Sequence, residues 1–159
     1  MSKLHRVFIS YHHALDESRK KIFELRFGNS CRAIISAAVG LGDINPELPT
    51  ETIRQKIRDE HLRDASVTVV LIGRLTWQRK HVDWEISSTI RNTQLNPRGG
   101  LLGIVLPSYY EAYYAGKAGK YDSHTIPPRL HDNVVAGYAK IYSWSEDAGE
   151  VQGWIHDAY

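Results

Sequence analysis

Val67-Thr68-Val69-Val70-Leu71-Ile72 (VTVVLI) is the strongest structural signal in the chain, and Gly73 follows it directly. The run is short, rich in β-branched residues and apolar without alternation, which indicates a strand rather than a helix. Uninterrupted apolar character requires that both faces of the strand are covered. The run therefore predicts a central strand of a parallel sheet with helices on both sides.

Further apolar runs recur on either side of this strand. We predict strands at residues 6–10 (RVFIS), 33–39 (AIISAAV), 101–106 (LLGIVL) and 138–142 (YAKIY). Helices are predicted over residues 17–27, over residues 50–62 behind a Thr50 cap, along the four-residue spacing of Val82, Ile86 and Ile90, and behind a Ser145 cap near the end. Residues 107–128, which are rich in tyrosine, are predicted to form an excursion with one or two helical turns. The tyrosines could stack on a base, but packing over the sheet edge is the favoured interpretation.

Strands that alternate with helices imply right-handed crossovers and a parallel sheet. The sequence thus predicts an α/β fold, with a flavodoxin-like, doubly wound, parallel five-stranded sheet in one domain over residues 1–159. Residues 6–10 and 67–72 are predicted to be neighbouring inner strands because both are apolar throughout.

Composition excludes several classes of protein. The chain has 159 residues and a formal net charge of +2, with basic and acidic residues interspersed, so it shows no footprint for nucleic acid or an anionic membrane. Cys31 is the only cysteine, which excludes an internal disulfide and a cysteine-rich zinc site. No apolar run is long enough to span a bilayer, and the expected location is the cytoplasm.

Ligands of such sheets bind beyond the carboxyl ends of the strands. Here those ends are residues 10–13, residues 73–77, the glycine- and proline-rich loop at residues 40–49, and the segment after Leu106. The chain has no Walker loop, dinucleotide fingerprint or nucleophile elbow. His12 and His13 are adjacent and point in different directions, so we predict no metal site.

Glu85 lies in the predicted helix after the central strand, beside Trp84. Taken alone, a glutamate in a helix is usually a solvated surface residue. Glu85 is, however, near the first turns of this helix and could lean toward the carboxyl ends of the strands, so a role in the ligand site remains open.

Residues 67–73 and 76–86, which end in TWQRKHVDWEI, resemble the core of the TIR-like family that includes the TIR proteins of the bacterial Thoeris anti-phage system. Residues 7–12 (VFISYH) are similar to the first strand and loop of that family, and residues 42–64 resemble its second helix and the preceding loop. The resemblance extends to about Leu106 and returns weakly over residues 134–144.

The resemblance implies an enzyme that cleaves the bond between nicotinamide and ribose in NAD⁺, with Glu85 as the catalytic carboxylate. NAD⁺ is then the substrate, and no cofactor is implied. The residues implied to contact NAD⁺ are Ser10, Tyr11, His12, Asp43, Trp77 and Trp84. TIR domains often carry tryptophan four residues before this glutamate, and this chain has His81 there. Trp77 and Trp84 flank that position, so the aromatic wall of the site is expected to be supplied differently.

The nicotinamide departs as a neutral molecule, so one carboxylate that stabilises an oxocarbenium-like ribose is chemically sufficient. Capture by water gives ADP-ribose, capture within the molecule gives a cyclic isomer, and capture by an amino acid such as histidine gives a conjugate; the sequence leaves these open. The resemblance also implies self-association, with residues 40–49 as a donor loop, a phage component as activator, and a separate effector protein that responds to the nucleotide signal.

Two other functions remain open from the sequence. The first is a non-catalytic TIR-like interaction module that works by assembly. The second is a phosphate- or nucleotide-binding flavodoxin-like protein that shares only the fold.

Overall fold

The computed structural model describes residues 6–27, 33–35, 47, 49, 52, 66–90, 99–113 and 121–159. Its strands are β1 (Arg6–Ser10), β2 (Ala33–Ile35), β3 (Val67–Ile72), β4 (Gly100–Val105) and β5 (Lys140–Ser143). All pairings are parallel, in the order β2-β1-β3-β4-β5. The predicted parallel α/β sheet is confirmed, and β1 and β3 are neighbouring inner strands as expected. In a sheet of this order the direction of the crossovers reverses between β1 and β3.

Helices cover both faces of the sheet. They are α1 (His13–Phe27), α2 (Lys80–Thr89), α3 (Pro107–Tyr113), α4 (Pro128–Val135) and α5 (Ala148–Ala158), with 3₁₀ turns at Thr76–Gln78 and Ser123–Thr125. Phe23 of α1 and Val151 of α5 pack in the core on one face, and Val82 of α2 and Leu130 of α4 pack in the core on the other. Every residue of β3 and β4 is buried, which explains why their sequences are apolar without alternation.

The start of α1 differs from the prediction. The helix begins at His13 and not at residue 17, because His12 caps it. The backbone N–H of Leu15 donates to Nδ1 of His12 at 3.2 Å, and that of Asp16 donates to the His12 carbonyl at 2.8 Å. Histidine is not among the preferred N-cap residues, so the start of α1 could not be recognised from the sequence.

The region after β4 is more helical than predicted. Helix α3 and the 123–125 turn lie within the predicted excursion, and α4 had not been predicted at all. Its signals were present: Pro128 occupies a first-turn position, and Leu130 and Val134 are spaced by four. Tyr109 is fully buried, and its hydroxyl lies 2.6 Å from Oγ1 of Thr125.

Other predicted element boundaries differ from the observed ones, or fall on residues that the structure does not describe. Strand β4 begins and ends one residue before the prediction, and β5 lies at Lys140–Ser143 and not at residues 138–142. Strand β2 covers the first three residues of the predicted run, and residues 36–39 lie outside the described residues. Apart from isolated positions, the predicted loop at 40–49 and helix at 50–62 also lie outside them. In the described part of the chain, no helix combines the length and the apolar character that crossing a membrane requires.

Helix α5 is capped by Asp147 and not by Ser145, so that prediction is wrong by two residues. One carboxylate oxygen of Asp147 accepts from the backbone N–H groups of Gly149 and Glu150, at 2.8 Å and 3.2 Å. The Ser145 hydroxyl instead accepts from the Asp147 N–H at 3.1 Å, outside the helix.

We expect Asp147→Ala to lower the free energy of unfolding by about 1 kcal/mol, because two N–H groups of the first turn lose their acceptor. Urea denaturation measures this change. Ser145→Ala is the matched comparison and is expected to cost clearly less. Equal losses in the two variants would contradict the cap assignment.

Candidate active site at the carboxyl ends of the strands

Three aromatic side chains meet where the chain leaves β1, and Glu85 lies one helical turn beyond them. Tyr11 follows β1, His13 begins α1, and His81 and Glu85 lie one turn apart on α2. The Tyr11 and His13 rings are 4.5 Å apart, and the His13 and His81 rings are 4.8 Å apart, edge to face. The charge of Glu85 is close enough to influence the ionisation of Tyr11. We call Tyr11, His13, His81 and Glu85 the Tyr11–Glu85 cluster.

His81 joins α2 to the segment that follows β1. Its Nε2 lies 3.1 Å from the carbonyl oxygen of Tyr11, and the side chain is 2% exposed. Burial lowers the pKa of His81 to about 4, so the ring is neutral at physiological pH. A carbonyl oxygen only accepts, so the neutral ring must carry its proton on Nε2. The bond fixes the distance between Tyr11 and the helix that carries Glu85.

Tyr11 is held as a neutral phenol. Its hydroxyl donates to Glu17, and the ring lies under the ammonium group of Lys20, 5.8 Å from the ring centre. Burial first, and then the hydrogen bond and charge of Glu17, raise the pKa of Tyr11. The same hydrogen bond lowers the pKa of Glu17.

Glu85 is fully buried, which overturns the expectation that a helical glutamate is solvated. Helix α2 contacts β1, β3 and β4, and seven of its ten residues are buried. A carboxylate removed from water carries a large desolvation cost. Proteins accept such costs mainly where the group has a function, so Glu85 is a functional-site candidate on physical grounds as well.

Two other predicted contacts, Ser10 and His12, lie at the end of β1 and shortly after it. Ser10 is fully buried, and within the described residues its hydroxyl has no hydrogen-bond partner. It pairs in register with Val70, whose side chain packs in the core under α2, so Ser10 faces α2 as well. His12 caps α1, and Asp43 lies outside the described residues.

The two tryptophans make contacts outside the cluster. The indole N–H of Trp77 donates to the hydroxyl of Tyr113 on α3 at 3.4 Å. Trp84 is half-buried, and the ammonium of Lys80 lies 5.9 Å from its ring centre. His81 was not among the predicted contacts and was noted only because it stands where TIR domains often carry tryptophan. In the structure it is part of the Tyr11–Glu85 cluster.

No three histidine, cysteine, aspartate or glutamate side chains among the described residues are placed to hold a metal ion.

A parallel sheet in the order β2-β1-β3-β4-β5, covered by helices on both faces, defines a doubly wound α/β domain, and a buried glutamate lies on the helix after its central strand. The family model described as "Thoeris protein ThsB, TIR-like domain" matches residues 8–110, which is more than half of the chain. The chain belongs to this family. A search of curated proteins finds no match.

Proposed function

We propose that the chain cleaves the bond between nicotinamide and ribose in NAD⁺, as part of Thoeris anti-phage defence, and that Glu85 is its catalytic carboxylate. The observation that carries the proposal is the full burial of Glu85 on α2 within electrostatic range of Tyr11, the residue that follows β1. Family membership supports the same assignment, because the match covers β3 and α2 completely and the last three residues of β1.

The reaction breaks the C–N bond, and its electron pair leaves with neutral nicotinamide. The ribose carbon becomes oxocarbenium-like, and a buried carboxylate stabilises that positive charge electrostatically, because burial excludes the water that would screen it. A nucleophile then completes the product: water loses a proton to give ADP-ribose, a group of the same molecule gives a cyclic isomer, and an amino acid gives a conjugate. The last two products would serve as the signal read by a separate effector protein.

The remaining residues have proposed roles as contacts. Ser10, Tyr11 and His12 lie at the end of the inner strand β1 and would line the ribose side of the site, while Asp43, Trp77 and Trp84 are proposed to contact other parts of NAD⁺. His81 and His13 would hold Tyr11 in place. Since Glu85 is fully buried, NAD⁺ reaches it only after the groups that cover it move. We propose that self-association or a phage component causes this movement.

The test is release of nicotinamide from NAD⁺ by the purified full-length chain, alone and with extract of phage-infected cells, with the product identified by mass spectrometry. We expect cleavage, with higher activity per molecule at concentrations where light scattering detects association. NAD⁺ that stays intact under all these conditions would instead support a non-catalytic assembly module.

A further inference from the structure

A cleft of about 400 Å³ opens at the same end of the sheet as the proposed active site. Its lining residues come from the first turn of α1, from the residue after Gly73, and from α3: Leu15, Asp16, Arg74, Ser108, Glu111 and Ala112. The cleft therefore lies by the ends of β1 and β3, where sheets of this order bind ligands. Glu85 is not part of the lining, so the cleft is separate from the Tyr11–Glu85 cluster.

Asp16 is the buried charge in the wall of this cleft. It is 4% exposed, and within the described residues its Oδ2 has no hydrogen-bond partner. The carboxyl group lies against Gly73, where a Cβ atom would clash with Oδ2, so only glycine leaves room for it. Thr76 hydrogen-bonds the carboxylate, and burial raises the pKa of Asp16. An unsatisfied buried carboxylate oxygen is costly, and a donor from a ligand would relieve that cost once the Asp16 side chain turns from Gly73 toward the cleft.

The rim adds one group of each charge. Glu111 and Arg74 are exposed, and Ser108 contributes a half-buried hydroxyl. Arg19 on α1 and, to a smaller extent, Arg74 are near enough to lower the pKa of Asp16. In the part of the chain that the structure describes, however, Arg74 forms no salt bridge with Asp16 or Glu111. Since neither Arg19 nor Arg74 forms a salt bridge with Asp16 among the described residues, the buried carboxylate favours a cationic hydrogen-bond donor from a ligand.

We propose that this cleft is a second ligand site, which binds a molecule with a primary ammonium group and receives that group at Asp16. The site does not depend on the proposed NAD⁺ cleavage. Two kinds of molecule supply such a group. A diamine would place its other end near Glu111, and an amino carboxylate would place its carboxylate at Arg74.

The binding test is an NMR titration of the full-length chain with three probes of similar length: putrescine, γ-aminobutyrate and butyrate. We expect at least one of the two amines to shift the backbone signals of residues 15, 16, 74 and 111 in a saturable way, and butyrate to shift none of them. Preference for putrescine identifies the diamine class, and preference for γ-aminobutyrate identifies the amino carboxylate class. Failure of both amines to bind at tens of millimolar would overturn the proposal.

Substitutions then locate the ammonium group. Asp16→Asn is expected to weaken binding of the preferred amine by about tenfold or more, because a charge-assisted hydrogen bond is lost. Its melting temperature at neutral pH is expected to rise, since the amide removes a buried charge, and this rise shows that the variant is folded. Glu111→Gln, at an exposed position, should weaken binding of putrescine by about twofold to threefold and should not weaken binding of γ-aminobutyrate.

Asp132→Asn is the control, because Asp132 is exposed on α4 and does not line the cleft. It should leave binding unchanged. Equal affinity in wild type and Asp16→Asn, with both folded, would overturn the assignment of Asp16 whatever the outcome of the NAD⁺ assay.

Discussion

Glu85→Gln is expected to lower the rate of nicotinamide release from NAD⁺ by about a hundredfold or more. The amide has the size and reach of the carboxylate but no negative charge, so it cannot oppose the charge that develops on the ribose. Losses of this size are usual when one preorganised electrostatic stabiliser is removed. The measurement is turnover at saturating NAD⁺, under the conditions in which the wild-type chain is most active.

Stability separates a catalytic role from a structural one. Glutamine keeps the volume and the hydrogen-bonding reach of the fully buried Glu85 side chain, so we expect the variant to remain folded and to unfold in a cooperative thermal transition. Glu146→Gln is the matched control, because the Glu146 side chain is 59% exposed and pairs with Arg26 far from the cluster. Full activity in Glu85→Gln, or loss of activity together with unfolding, would contradict the catalytic assignment.

The sheet was predictable because its inner strands are covered on both faces. Strands covered on both faces have sequences that are almost wholly apolar, and such runs are easy to recognise. Thr68 is the one polar residue of β3, and in β1 every side chain after Arg6 is buried. Edge strand β5 is only half-buried, its sequence pattern is weaker, and its predicted boundaries were shifted. The more completely a strand is buried, the more accurately its position was predicted from the sequence.

The candidate site was predictable only in part. Spacing of Val82 and Ile86 identifies one buried stripe on α2, but it cannot reveal that Glu85 beside that stripe is buried too. That burial depends on how closely the helix approaches β1, which is a property of the folded chain. The same holds for His12, whose role as a helix cap depends on the direction of its ring and not on helix propensity.

The position of His81 leads to the second large effect, a loss of stability in acid. Burial lowers its pKa to about 4 in the folded chain, from the ordinary value of 6.5 that the ring has in the unfolded chain. Between about pH 6.5 and about pH 4 His81 is therefore protonated in the unfolded chain but not in the folded chain. The free energy of unfolding falls as the pH decreases through this range. A shift of this size corresponds to about 3 kcal/mol between about pH 7.5 and about pH 4.

His81→Gln isolates this contribution, because glutamine can still donate to the Tyr11 carbonyl but does not titrate. We expect the free energy of unfolding, from urea denaturation at about pH 7.5, 6, 5 and 4, to fall by about 3 kcal/mol less in the variant than in the wild type. His12 and His13, whose pKa values burial also lowers, and Arg79 face His81 in both proteins, so their effects largely cancel in the difference. His156→Gln, at an exposed position on α5, serves as the control and should follow the wild-type curve. Parallel curves for wild type and His81→Gln would show that His81 is not held neutral by its place between Tyr11 and His13.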